Sequence, residues 1–246
     1  MSERDRAVSE VLGYALIFSI ILVSIGIVSV GGLSALQETR DAEQLDNAER
    51  AMSVLADNTE DIYARDAPSR ATELSVGSAS LSLGENVTVN ATVHAGGTRT
   101  THSYTLRPVV FRSGTTRIVY EGGAIFRDQP DGGSILRDPP FVFTGAPRQQ
   151  LVVVQTAGPS QSVAGSAVLA RMKATQRDVA FEDNTSSPAF LNITSPRAEL
   201  WERYLADQNG ITGCAVGGPD GQSLECELAG PRLTVVRHRM RVGLNP

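Results

Sequence analysis

No charged side chain occurs between Glu10 and Glu38. The 26 residues Val11–Leu36 are uncharged and mainly apolar, with Leu16, Ile17, Phe18, Ile20, Ile21, Leu22 and Val23 among them. A helix that crosses a bilayer core needs about 20 such residues at about 1.5 Å each. A cleaved secretory signal has an apolar region of only about 7–15 residues and a small-x-small cleavage site after it. This run is longer, and no clear site follows. It is therefore expected to span a membrane. Arg4 and Arg6 precede it, which favours a cytoplasmic N-terminus and leaves the rest of the chain outside.

Two features after the helix agree with that placement. Asn86, Asn90, Asn184 and Asn192 each begin an Asn-x-Ser/Thr triplet without a central proline. Such triplets are glycosylation acceptors on exported surfaces. Cys214 and Cys226 are the only cysteines, with Gly217, Gly218 and Gly221 between them. A pair around a Gly-rich turn can approach closely enough to bridge, and an oxidising exterior keeps the bridge closed. Two reduced thiols are the other reading.

Beyond Gln37 the helical pattern continues but becomes one-sided. Ala42, Leu45, Ala48, Met52 and Leu55 recur at three- and four-residue spacing, opposite Glu38, Asp41, Glu43, Asp46 and Glu49. This predicts one long helix, apolar all round and then amphipathic. Gly31-Gly32 marks a weak point between the halves, and Pro68 ends the helical region at the latest. From residue 70 the period becomes two. Val87, Val89, Ala91 and Val93 alternate with polar residues, and Val109–Phe111 and Ile118–Tyr120 flank Ser113-Gly114 as a hairpin. Ile125–Pro130 and Ile135–Pro140 are similar hexapeptides around Asp131-Gly132-Gly133, which predicts paired strands of one meander. Leu151–Gln155, Ser166–Met172 and Leu233–Val242 are further strands. One helix interrupts them, with Ser195 as its cap, Pro196 in its first turn and Asn209-Gly210 at its end. Trp201 on its apolar face is expected to pack on the sheet. The predicted fold is α+β: a long N-terminal helix, then a mainly antiparallel, sandwich-like β domain with a short helix near 196–208. The predicted segments are a leader at 1–7, the helix at 8–66 and the β-rich domain at 70–246.

A net charge of −5 argues against nucleic acid as a partner. The chain has no nucleophile elbow, phosphate loop, dinucleotide fingerprint or zinc-protease helix, so no enzymatic activity, cofactor or metal is expected. His94 and His102 flank Gly96-Gly97 and could meet across a hairpin, yet two histidines do not complete a metal site, and solvent-facing strand histidines are the first reading. Arg237, Arg239 and Arg241 share one face of a strand beside His238. A solvated face is the first reading, and pairing with the acidic stretch Glu38–Asp46 of the same or a neighbouring subunit is the second.

Arg6-Ala7-Val8-Ser9, followed by Val11, Leu12, Gly13 and the long apolar helix, resembles the N-terminus of haloarchaeal type IV pilins. The resemblance covers about residues 1–56. It implies that a membrane prepilin peptidase cuts between Ala7 and Val8 from the cytoplasmic side. It also implies that the mature helices pack together inside a filament, with β-rich heads outside. Glu10 is then the candidate partner for a neighbour's new N-terminal amine, although proline is common there in haloarchaeal pilins. From residue 70 the chain is similar to haloarchaeal pilin-like surface proteins of unknown function. The expected protein is a single-pass membrane, cell-surface structural subunit that self-associates through its N-terminal helix. The alternative is an envelope protein on an uncleaved signal anchor, with a non-catalytic β domain for binding.

Overall fold

The structure is a computed structural model and describes residues 3–95, 97–143, 148–184, 188–230 and 232–246. Helix α1 (Glu3–Ala64) is a single 62-residue element that runs through Gly31 and Gly32 without a break. It stops ahead of Pro68, which disfavours helical geometry in the residue before it. The Ala67 amide closes the end by donating to the Asp61 carbonyl at 3.0 Å, and Asp66 takes a left-handed φ of 57°. Aspartate is among the few side chains that tolerate this conformation. The chain divides into two compact units, Met1–Asp46 and Asn47–Pro246, so the boundary falls inside α1.

Fourteen strands follow among the described residues. The first eight are β1 (Ser69–Leu83), β2 (Val87–Ala95), β3 (Thr98–Leu106), β4 (Val109–Ser113), β5 (Thr116–Glu121), β6 (Ala124–Gln129), β7 (Gly132–Arg137) and β8 (Val142–Phe143). After them come β9 (Arg148–Ala157), β10 (Ser162–Asn184) and β11 (Ala189–Thr194). Helix α2 (Ala198–Ala206) leads into β12 (Ile211–Gly217), β13 (Ser223–Leu228) and β14 (Arg232–Asn245). One sheet has the order β7-β6-β5-β4-β1-β10-β14-β9-β8, and the other β12-β13-β11-β2-β3. All strand pairs are antiparallel except β14 with β9. The expected hairpin is β4–β5, and the hexapeptide repeat is the β6–β7 pair.

The nine-stranded sheet is the middle layer of the second unit, and around β5 both of its faces are covered. On β5, Ile118 and Tyr120 join the cluster containing Ala48, Met52, Leu55, Ala56 and Ile62 of α1. Between them, Val119 joins the opposite cluster, with Val89, Leu191, Leu224 and Trp201 of the five-stranded sheet and α2. A strand buried on both faces reads as an apolar run instead of an alternation. The helix residues sit at three- and four-residue spacing because one side of α1 meets the sheet. Each buried Met, Leu or Ile there contributes about 1.5–3 kcal/mol. The predicted stripe starts further back, but Ala42 is exposed and Leu45 only half-buried.

Ion pairs fasten this part of α1 at the edge of its contact. Arg127 on β6 reaches Glu49 at 3.1 Å, and Arg137 on β7 bonds both Asp57 and Glu60. Helix α2 starts at Ala198, and its N-cap position belongs to Arg197 with no side-chain cap. Ser195, the cap that the sequence predicts, stands two residues ahead of that position and holds the turn that leads into α2. Its backbone carbonyl accepts the Ala198 N–H at 3.1 Å, and its Oγ accepts the Arg197 N–H at 3.1 Å while the hydroxyl proton is donated to another element.

Candidate functional site

The first candidate is the apolar half of α1. Leu12–Ser29 has a mean hydropathy of 2.4 over 18 residues, and none of it is buried. Leu16, Ile17, Phe18, Ile20 and Ile21 are all about half exposed or more, and consecutive positions cover every side of a 3.6-residue turn. Two of its serines are satisfied inside the helix. Ser19 Oγ donates to the Ala15 carbonyl at 2.7 Å, and Ser24 Oγ to the Ile20 carbonyl at 2.8 Å. A lipid environment requires such internal bonding, because it offers no water to polar groups. A Cβ added to Gly13, Gly26, Gly31 or Gly32 would meet nothing within 4 Å. Small residues on an apolar helix let a second helix approach closely. This segment is long and apolar enough to cross a membrane. Ala7, Val8 and Glu10 lie within α1, but their side chains are outside the described residues.

The second candidate is a buried charged cluster in the β-rich unit. Gly122 and Gly123 make the two-residue turn from β5 to β6, with φ of 62° and 97°. Turns of this type need positive φ at both central positions, and a side chain at Gly123 would overlap Pro140. The turn leaves Glu121 at the end of β5 beside the start of α2, fully buried. Its Oε1 accepts hydrogen bonds from Ser195 Oγ and Trp201 Nε1, both at 2.7 Å. Its Oε2 accepts from Arg197 Nε at 2.7 Å and also from Arg197 Nη2. The other Arg197 nitrogen lies 3.8 Å from Asp128, which also meets Arg117 at 3.5 Å. Trp201 packs on Phe126 and Phe141.

Four donors on two oxygens use the acceptor capacity of the Glu121 carboxylate. A general base or nucleophile needs a lone pair turned toward its substrate, and here each is directed at a protein donor. The arrangement ties α2 to β5. Two clefts of about 290 and 300 Å³ flank Pro196 and Arg197. Asp128, Glu199, Arg203 and Asp220 line the first, and Glu85, Arg112 and Arg117 the second. Among the described residues, no three His, Cys, Asp or Glu side chains converge to hold a metal ion.

Cys214 and Cys226 face each other across β12 and β13 and form a disulfide, with Cα atoms 4.1 Å apart. The bond closes a loop between residues 12 apart in sequence. In the chain-entropy model a loop this short contributes about 3 kcal/mol. Reduction, or a Cys214→Ser and Cys226→Ser double substitution, is expected to lower thermal stability by that amount. A thermal melt with and without reductant reads the change.

The four glycosylation candidates differ in setting. Asn86 is exposed in the β1–β2 turn, and its Oδ1 accepts from Arg107 Nε at 3.1 Å. Asn90 and Asn192 are half-buried, directly opposed partners on β2 and β11. Asn192 Nδ2 donates to Glu225 at 2.7 Å. Asn184 ends β10, and its side chain lies outside the described residues. Asn86 alone of the three described side chains stands clear of a sheet.

The histidines do not meet across the β2–β3 hairpin, the arrangement that the flanking of Gly96-Gly97 left open. The register sets His94 opposite Arg99 and His102 opposite Ala91, so the rings fall on opposite faces. His94 packs edge-on to Phe190, and His102 stacks on Phe181 with ring centroids 4.2 Å apart. His238 is buried beside Tyr63. Burial and then the Arg177 charge lower its pKa, against opposing effects of Asp66 and Asp178. The basic cluster is divided. Arg237 makes a two-point pair with Asp178 at 3.0 and 2.7 Å, while Arg239 and Arg241 remain exposed. Sequence reasoning missed Glu121 and Arg197. The available signal was one carboxylate directly after the apolar run Ile118–Tyr120, which a doubly covered strand can bury only with a cation.

A family model described as a family of unknown function (DUF7289) matches residues 6–243. No curated protein and no solved structure matches the chain.

Proposed function

Since the chain belongs to the DUF7289 family, whose function is unknown, we propose its role from its own residues: a type IV pilin-like structural subunit of the cell surface. In this reading α1 anchors the chain, the β-rich unit lies outside the cytoplasm, and a prepilin peptidase-type enzyme cuts between Ala7 and Val8. The mature chain then self-associates through α1, with Glu10 near a neighbour's new amine, and is the haloarchaeal-type surface glycoprotein that the N-terminal resemblance implies. The observation that carries it is a helix apolar on every face that runs without a break into a unit of its own. Such a helix leaves lipid only by burying itself among similar helices. The role needs packing and adhesion, not catalysis.

A signal-anchored envelope protein with a non-catalytic binding domain is the second reading. The backbone of α1 is already helical from Glu3, ahead of Ala7–Val8, which favours an uncleaved anchor.

Protease treatment of intact cells tests the part common to both. The β-rich unit is expected to be digested from the outside, and to keep its disulfide until reductant is added. Protection in intact cells, with digestion only after lysis, would remove both readings.

A further inference from the structure

Most cations of the β-rich unit that lie near a carboxylate are paired with it, as Arg117, Arg127, Arg137, Arg177, Arg197 and Arg237 show. One face of the nine-stranded sheet departs from this pattern. Lys173 on β10 stands directly opposite Arg241 on β14, with Arg171 and Arg239 one step away on the same two strands. All four side chains are exposed, and none forms an ion pair among the described residues. Met172, Met240 and Val242 point the other way, into the cluster against α1. Ser69 lies opposite Lys173, Ala71 opposite Arg171, Gln155 opposite Arg239 and Ala157 opposite Arg241, so the adjoining positions bring no carboxylate. Glu73, opposite Leu169, is the acid of the next row, and it forms no ion pair among the described residues. Like charges directly opposed on antiparallel strands destabilise the sheet. A patch that keeps them without a counter-ion gains from an anionic partner.

The same chain carries a surface of the opposite sign. Asp41, Glu43 and Asp46 are exposed on α1, and no cation lies between Asp41 and Asp46. We propose that the face bearing Arg171, Lys173, Arg239 and Arg241 docks the acidic Asp41–Asp46 stretch of a neighbouring copy. The inference rests on the self-association reading and specifies its geometry. Five residues of helix advance about 7.5 Å. Two residues of strand advance about 6.8 Å, and neighbouring strands lie about 4.8 Å apart. The two charged areas therefore match in size. They are different patches of one chain, so in a head-to-tail contact each copy keeps one patch of each sign for further copies. Exposed charges contribute little affinity and much orientation, so packing of α1 supplies adhesion while this contact fixes register.

Lys173 is the only lysine of the chain, which makes the test specific. A water-soluble carbodiimide joins an amine to a touching carboxylate as an amide, with loss of water to the reagent. Applied to the full chain in native membranes or sheared surface material, it is expected to give a dimer and a ladder of larger species. Their linked peptide would contain Lys173 and one of Asp41, Glu43 or Asp46. Lys173→Arg keeps the charge and removes the side-chain amine, so the species linked through residue 173 disappear, any linked through the N-terminal amine remain, and the unlinked assembly keeps its size. Arg239→Glu with Arg241→Glu, and 1 M salt, are each expected to reduce the yield severalfold, because the contact is electrostatic. An assembled chain whose Lys173 links within one copy, elsewhere on a second copy, to an acidic polymer or to nothing would overturn the docking and leave self-association standing. A chain that stays monomeric by native size in mild detergent would overturn both.

Discussion

Glu121→Ala is expected to destabilise the β-rich unit by about 3–5 kcal/mol, the range for removing one partner of a buried ion pair. For a unit of this size each kcal/mol lowers the melting temperature by about 2–4 °C, so the drop should be roughly 6–20 °C. The loss is large because alanine leaves the buried Arg197 guanidinium with only the more distant Asp128, at 3.8 Å, and orphans the Trp201 N–H and the Ser195 hydroxyl together. Ser195→Ala removes one of those donors and should cost about 1 kcal/mol. The ranking is the useful result, read by thermal melts of the full chain in detergent. A Glu121→Ala loss no larger than that of Ser195→Ala would mean that the ion pair does not hold α2 on the sheet. Replacing Glu121 and Arg197 together by apolar residues of similar volume should recover much of the loss, since such replacements of buried pairs are often neutral.

The second large effect concerns the anchor. Ile17 and Ile21 lie one turn apart inside Leu12–Ser29 and are both exposed. Arginine at the centre of a spanning helix costs about 2.5–3.5 kcal/mol on insertion scales. Ile17→Arg with Ile21→Arg is therefore expected to move the chain from the carbonate-resistant membrane fraction to the soluble or degraded one. Val54→Arg, on an exposed position beyond the apolar run, should leave the partition unchanged, as most surface substitutions do. If the double variant stayed in the membrane like the unaltered chain, α1 would not be the element that holds it there.

Much of the fold is legible where one physical signal dominates locally. The apolar run of α1 needs no partner to be recognised. The β4–β5 hairpin and β6–β7 pair carry both strand residues and turn residues within a short window. Elements whose environment changes along their length are harder to read. On β10, Val168, Ala170 and Met172 face α1, and the strand then shifts register between Ala174 and Gln176 and again between Val179 and Phe181. Its inward positions change parity, so no single alternation spans its 23 residues. On β14, Leu233 and Val235 face the five-stranded sheet, while Met240 and Val242 face the helix. The arginines therefore look like one face in the sequence but end in two settings, Arg237 against Asp178 and Arg239 and Arg241 in solvent.

Long-range partners explain the remaining differences. Ser195 lies two residues ahead of the N-cap position, where its Oγ accepts the Arg197 N–H while its hydroxyl donates to Glu121, 74 residues away. His94 and His102 flank a turn, yet the pairing of β2 with β3 puts each opposite another residue. The cysteines were readable because a Gly-rich turn brings them together locally. The apolar helix was likewise legible as a segment long enough to span a membrane, whereas the charged cluster around Glu121 depends on strand order that no local pattern encodes.

The most direct test of the pilin-like account is the mature N-terminus, measured by mass spectrometry on protein extracted from native membranes. The account predicts a chain that begins at Val8, lacking Met1–Ala7, and that regains those residues when the prepilin peptidase is absent. A chain beginning at Met1 or Ser2 in cells that contain the peptidase would contradict it and leave a signal-anchored envelope protein.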